Sequence, residues 1–191
     1  MTATSDKQPG GDASIFSELP GDLMMWIVIA SELLVFGAAL IGFLSVRASD
    51  PVKFSADQAL LNQTAGAMNT IVLVSSGLCA ALALNAREKG QRLDARKWLL
   101  AAGIGGLIFL TIKGFEYAAK FTDGIGIESS PFFTFYFLIT GFHALHVVAG
   151  IVILALVAWS DTVRNMETGI AFWHMVDLVW VLLFPIIYVL R

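Results

Sequence analysis

The chain has 191 residues, 57% of them hydrophobic and 14% charged, with a formal net charge of −3 and a mean hydropathy of +0.76. Usage this apolar excludes an ordinary water-soluble domain and nucleic acid as a partner, and it places the chain in a bilayer. The single cysteine, Cys79, excludes an intrachain disulfide and a thiolate metal motif, and its apolar run reads as packing.

Residues 1–22, "MTATSDKQPGGDASIFSELPGD", read as a polar N-terminal tail, because they lack the apolar core that a secretory signal needs. Residues 23–191 then read as one transmembrane domain. Five apolar stretches, at 23–46, 65–86, 97–119, 131–159 and 171–190, alternate with short polar loops. Each is long enough to cross ~30 Å of hydrocarbon as a helix. Barrel strands alternate over ~10 residues, so runs this continuous predict an all-α integral membrane protein, a five-helix transmembrane bundle.

Glu32, in "IASELLVF", lies about nine residues into the first helix. At 1.5 Å per residue that is ~14 Å along it, close to the midplane, where an ionisable side chain costs several kcal/mol unless paired or wet. The second helix offers Asn69, Thr70, Ser75 and Ser76, and small residues four apart: Ser75 with Cys79, Ser76 with Ala80, Gly77 with Ala81. Ala101 with Gly105 and Ala102 with Gly106 repeat that spacing in the third, so the two predict a close seam. Between them, "AREKGQRLDARKW" carries Arg87, Lys89, Arg92, Arg96 and Lys97. With Lys7 and Arg164 that makes about seven cations on one side, against Arg47, Lys53, Lys120 and Arg191 on the other. The positive-inside rule therefore predicts the N-terminus inside and the C-terminus outside. No internal repeat supports an inverted-repeat transporter.

Lys113 and Glu116, three apart near the outer end of the third helix, suit a local ion pair near the interface. The fourth helix holds "TGFHALHVVAG", with His143 and His146 read as sharing one face at the depth of Glu32, so that a Glu32–imidazole contact is geometrically open. The fifth opens with "AFWHMVDLVW", which puts His174 and Asp177 on one face and spaces Trp173 and Trp180 seven apart for interfacial anchoring or packing. Two histidines supply half a zinc site but lack a Glu-x-x-His pair or cysteines, and a bis-histidine haem needs facing helices. The residues alone leave a hydrogen-bonded polar knot, a metal or haem site and a proton relay open.

In order and each on its own helix, "SELLVF", "GAMNTIVLVSSG", "GFEYAAKF", "FFTFYFLITGFHALHVVAG" and "FWHMVDLVWVLLFPIIY" resemble subunit III of haem-copper oxidases. The five-helix length, "ELPGDLMMWIVIASELLVFG", "QTAGAMNT" and "KFTDGIGIESSPFFTFYFL" look most like nitric oxide reductase accessory proteins of the NorE type. The two further helices of seven-helix subunits are absent, which puts in doubt the lipid-filled cleft they help to form. The resemblance implies a non-catalytic subunit of a bacterial inner-membrane complex, without cofactor of its own, that binds phospholipid. Haem and metal would sit in the partner, the catalytic subunit of a nitric oxide reductase or of a terminal cytochrome c or quinol oxidase. It implies roles in stabilising that subunit and sustaining proton uptake, with Glu32 as the intramembrane glutamate, His143 and His146 as the paired histidines, and Glu116, His174 and Asp177 as further polar positions. A free-standing proton channel, transporter or assembly factor is the alternative of another class.

Overall fold

A computed structural model describes residues 23–160 and 162–190; the expected polar tail, 1–22, lies outside them. Among the described residues six α-helices follow one another: α1 (Leu23–Ser49), α2 (Pro51–Ala59), α3 (Gln63–Glu88), α4 (Arg92–Thr122), α5 (Pro131–Trp159) and α6 (Val163–Phe184), closed by a π-helical turn (Pro185–Val189). Five are long and apolar enough to cross a membrane, α6 continuing through the π turn to Val189. The fold is the expected five-span bundle. The sequence-based boundaries fall short at most helix ends, because α3, α4 and α6 begin in polar segments that sit at headgroup level.

Helix α2 is the element that the apolar runs do not reveal. Asp50 caps it by accepting from Lys53 N at 3.2 Å, and Pro51 occupies its first turn. It buries Phe54 against Phe43 and Phe132, at ring separations of 4.8 and 4.9 Å. A nine-residue helix with one buried ring and a polar outer side is too short and too mixed to register as a span. Asn62 caps α3 and Ser130 caps α5. Gly90 and Gly124, at φ of 77° and 76°, end α3 and α4 in the left-handed conformation that glycine adopts without a Cβ penalty.

The seam between α3 and α4 forms where the small residues predict it. Ser76, Gly77, Ala80, Ala102 and Gly106 are buried, and Ser76 Oγ donates to Ala102 O at 2.7 Å. Ser75 is exposed, so the Ser75–Cys79 pair takes no part. Helix α6 is the most enclosed of the spans. Its Trp173 indole lies over Gly106 of α4 and Gly150 of α5, where an added Cβ would come within 2.6 Å of the ring.

Candidate functional site: intramembrane polar groups

Near the middle of the bundle, His146 on α5 approaches Glu32 on α1, Nε2 to Oε2, at 3.1 Å. The other ring nitrogen, Nδ1, lies 2.9 Å from Phe142 O and donates to it, since a carbonyl can only accept. Nε2 is therefore the nitrogen free to take or give a proton toward the carboxyl. The two atoms approach closely without being lined up as a hydrogen bond, and Glu32 Oε2 has no hydrogen-bond partner among the described residues. The side chains are 23% and 15% exposed, on the outside of the bundle between α1 and α5.

His143 does not join this couple. At three residues along a helix of 3.6 per turn, its direction differs from that of His146 by about 60°. That rotation turns His143 into the core, fully buried, with rings of Trp180, Phe109 and Phe36 at 5.2, 5.5 and 6.2 Å. Neither of its nitrogens has a hydrogen-bond partner among the described residues. The shared face read for His143 and His146 is corrected: the contact expected between Glu32 and an imidazole falls to His146 alone, and the zinc reading loses its pair of ligands. No group of three or more His, Cys, Asp and Glu side chains among the described residues could hold a metal ion.

A second cluster lies toward the other end of α4. Lys113 Nζ and Glu116 Oε2 are 3.0 Å apart, as the spacing predicts, and the bundle encloses the pair: Lys113 is 2% and Glu116 7% exposed. Burial requires further partners, and the fold supplies them. Lys113 donates to the hydroxyls of Tyr136 and Tyr188, and Tyr188 donates to Glu116 Oε1 at 2.9 Å. The ammonium also sits 4.8 to 5.4 Å from the ring centres of Tyr136, Tyr188, Trp180 and Tyr117, within cation–π range. Thr140 donates to Tyr136 O and is 2.6 Å from the Tyr117 hydroxyl, which extends the network along α5.

Tyr188 reaches this cluster because the chain leaves α-helical geometry at Pro185. A π turn frees carbonyls, and side chains from earlier in the chain take them: Gln58 Nε2 donates to Ile187 O at 2.9 Å, Gln63 Nε2 to Tyr188 O at 2.8 Å and Arg47 to Leu190 O at 2.8 Å. The sequence gives no hint of this arrangement beyond Pro185 itself.

His174 and Asp177 do share a face of α6, but Nδ1 and Oδ2 stand 4.0 Å apart, too far for a hydrogen bond. Asp177 is 8% exposed and rests against Gly77 of α3, where a Cβ would collide with its carboxylate; its Oδ1 has no partner among the described residues. The two tryptophans are packing residues, both at 0% exposure, and not interfacial anchors. Each indole N–H is held by α3, Trp173 by Ser76 and Trp180 by Thr70, both at 3.1 Å.

Residues 21–191 match the family model described as cytochrome c oxidase subunit III. The chain belongs to that family. A probable cytochrome c oxidase subunit 3 of Mycobacterium leprae is 29% identical over 176 residues, 88% of this chain and 86% of that protein. Cytochrome c oxidase subunit 3 of Thermostichus vulcanus is 28% identical over 177 residues, with the same coverage. A protein of Aeropyrum pernix named heme-copper oxidase subunit I+III is 28% identical over 179 residues, 86% of this chain and 22% of its own length. As a subunit III family member this is an integral membrane chain whose partner is a catalytic haem-copper oxidase subunit.

Proposed function

We propose that this chain is a non-catalytic subunit that packs against the catalytic haem-copper subunit, stabilises it and supports its proton uptake, holding no haem or metal of its own. The observation that carries the docking reading is the position of Glu32 and His146. They are an ionisable couple at mid-span whose side chains remain 23% and 15% exposed on the outer surface of the bundle. A charged side chain at the bilayer centre costs roughly 2.5–3.5 kcal/mol on insertion scales. The α1–α5 face is therefore the one that the catalytic subunit covers, with the couple beside its proton entry. The relative named subunit I+III supports such an association.

Two partners fit. The relatives named cytochrome c oxidase subunit 3 support a terminal oxidase. The segment "QTAGAMNT" carries the resemblance to nitric oxide reductase accessory proteins, whereas length does not discriminate, since the subunit 3 of Mycobacterium leprae is matched over 86% of its own length. A mild-detergent pull-down of the tagged chain from its own membranes, with a reduced-minus-oxidised haem spectrum, separates them. Haem a or o with copper selects a terminal oxidase, and haems b and c with reductase subunits select nitric oxide reduction. Recovery with no haem-copper partner would overturn the accessory reading. A free-standing channel is disfavoured because Phe36, Phe109 and Trp180 close around His143 and interrupt a polar path at mid-span. Liposome proton flux that Glu32→Gln abolishes would revive it.

A further inference from the structure

Between the end of α3 and the start of α6, beside the first turn of α1, opens a pocket of about 620 Å³ whose lining includes Ala81, Leu84, Asn85, Glu88, Glu167 and His174. Its size falls in the range of ligand sites. No lysine or arginine lines it, and neither Glu88 nor Glu167 makes a hydrogen bond or ion pair among the described residues. Glu88 ends α3 and Glu167 stands one turn into α6, so both carboxylates sit at the mouth. His174 lies seven residues deeper along α6, or ~10 Å at 1.5 Å each, past the apolar stretch of Ala81 and Leu84. Asp177, three residues beyond on the same face of α6, stands at the inner end. It is 8% exposed, its Oδ1 has no partner among the described residues, and its Oδ2 is turned to His174, 4.0 Å from Nδ1. A gap of that width is too long for one hydrogen bond but admits a donor nitrogen ~2.9 Å from each atom.

We infer that this pocket binds a linear alkyl diammonium, the chemistry of an aliphatic polyamine, with one ammonium at the Glu88 and Glu167 carboxylates and the other between His174 and Asp177. Three carboxylates with no lysine or arginine in the lining call for a cation. An ionisable group at the depth of Asp177, ~21 Å into α6, is costly unless it is paired. The acids are strung along the pocket and do not converge as metal ligands would. Two polar ends ~10 Å apart, with Ala81 and Leu84 between them, match two ammonium groups joined by methylenes. A lysine of a partner chain carries one ammonium and leaves one end unpaired. Ammonium groups form short, charge-assisted bonds to carboxylates, which gives each end its selectivity. The site lies on the α3 and α6 side of the bundle and does not depend on the function proposed above.

The test is isothermal titration calorimetry of the full chain in an uncharged detergent, with the terminal diamines of octane and butane, which carry equal charge and differ in reach. Diaminooctane is expected to bind once per chain and roughly tenfold tighter than diaminobutane, the worth of one charge-assisted hydrogen bond. Asp177→Asn keeps the side-chain shape and should erase that preference while diaminobutane still binds at the mouth. Ala81 is exposed, so Ala81→Phe should fill the pocket and abolish binding of the longer diamine while keeping the helix content and unfolding midpoint of the parent. Equal affinity for the two diamines, a length preference that survives Asp177→Asn, or undiminished binding in Ala81→Phe overturns the proposal. So does a photo-crosslinker at Ala81 that captures a partner chain in the assembled complex, which would make the pocket a protein contact.

Discussion

At the scale of single residues, the two histidines three apart in "FHALH" have opposite physics. His146 has a carbonyl that accepts from it and a carboxyl beside it, whereas His143 has only rings. Replacing His146 by Leu should remove the imidazole beside the Glu32 carboxyl at mid-span, at a cost of ~1–3 kcal/mol in a denaturant titration in mixed micelles. His143→Phe keeps the ring contacts and removes two polar atoms with no partner, so the same titration should show a loss under ~1 kcal/mol or a gain. The sequence reveals that both imidazoles lie in the span, but not which way each points, since a 60° rotation is settled only by the neighbours α1 and α6. Lys113 tells a similar story. Its spacing to Glu116 is readable, while the hydroxyls of Tyr136 and Tyr188 come from residues 23 and 75 positions away. Lys113→Met should strand Glu116 and cost ~3–5 kcal/mol, and Lys113→Met with Glu116→Leu should recover much of it, because an ion pair replaced by apolar groups no longer has to be desolvated.

At the scale of elements, helix packing is set by where glycine lets a tryptophan in. Trp173 enters between α4 and α5 over Gly106 and Gly150, and its N–H ends on Ser76 of α3. One side chain thus touches three of the other spans. Gly150→Leu should push the indole out and lower stability by ~1–3 kcal/mol or more, read as a fall in the thermal midpoint in detergent. Ser76→Ala should cost about 1 kcal/mol by leaving the indole N–H unpaired. The small-residue spacing in α3 and α4 makes their contact legible from the chain alone. The role of Gly150 is not legible, since a lone glycine in an apolar run looks the same whether it meets lipid or an indole. Helix α2 was hidden for a different reason: its stability comes from Asp50, Pro51 and one buried phenylalanine and not from an apolar stretch.

At the scale of the whole molecule, five crossings place Leu23 and Val189 on opposite sides of the membrane. From the cation distribution we propose that the Leu23 side faces the cytoplasm. Reporter fusions at the loop near Gly90 and the loop near Gly124 should report inside and outside respectively. The proposed proton role belongs to the assembled complex. Glu32→Gln should leave helix content and partner recovery unchanged while shortening the number of turnovers the complex sustains. An unchanged inactivation rate would reduce the couple to a structural contact. Bundle size and family were readable because hydrocarbon length and helix order are one-dimensional properties. The proposed docking face was not, since it depends on which polar groups remain uncovered after packing.

The clamp on the π turn also sets a timetable for biogenesis. Lys113 enters the membrane with only Glu116 beside it, meets Tyr136 after 23 further residues and Tyr188 after 75. At 5–20 residues per second of synthesis, the final partner arrives roughly 4–15 s later. During that interval a buried-to-be ammonium has an incomplete set of partners, so truncation before Tyr188 should leave α4 more accessible to a water-borne reagent than in the full chain.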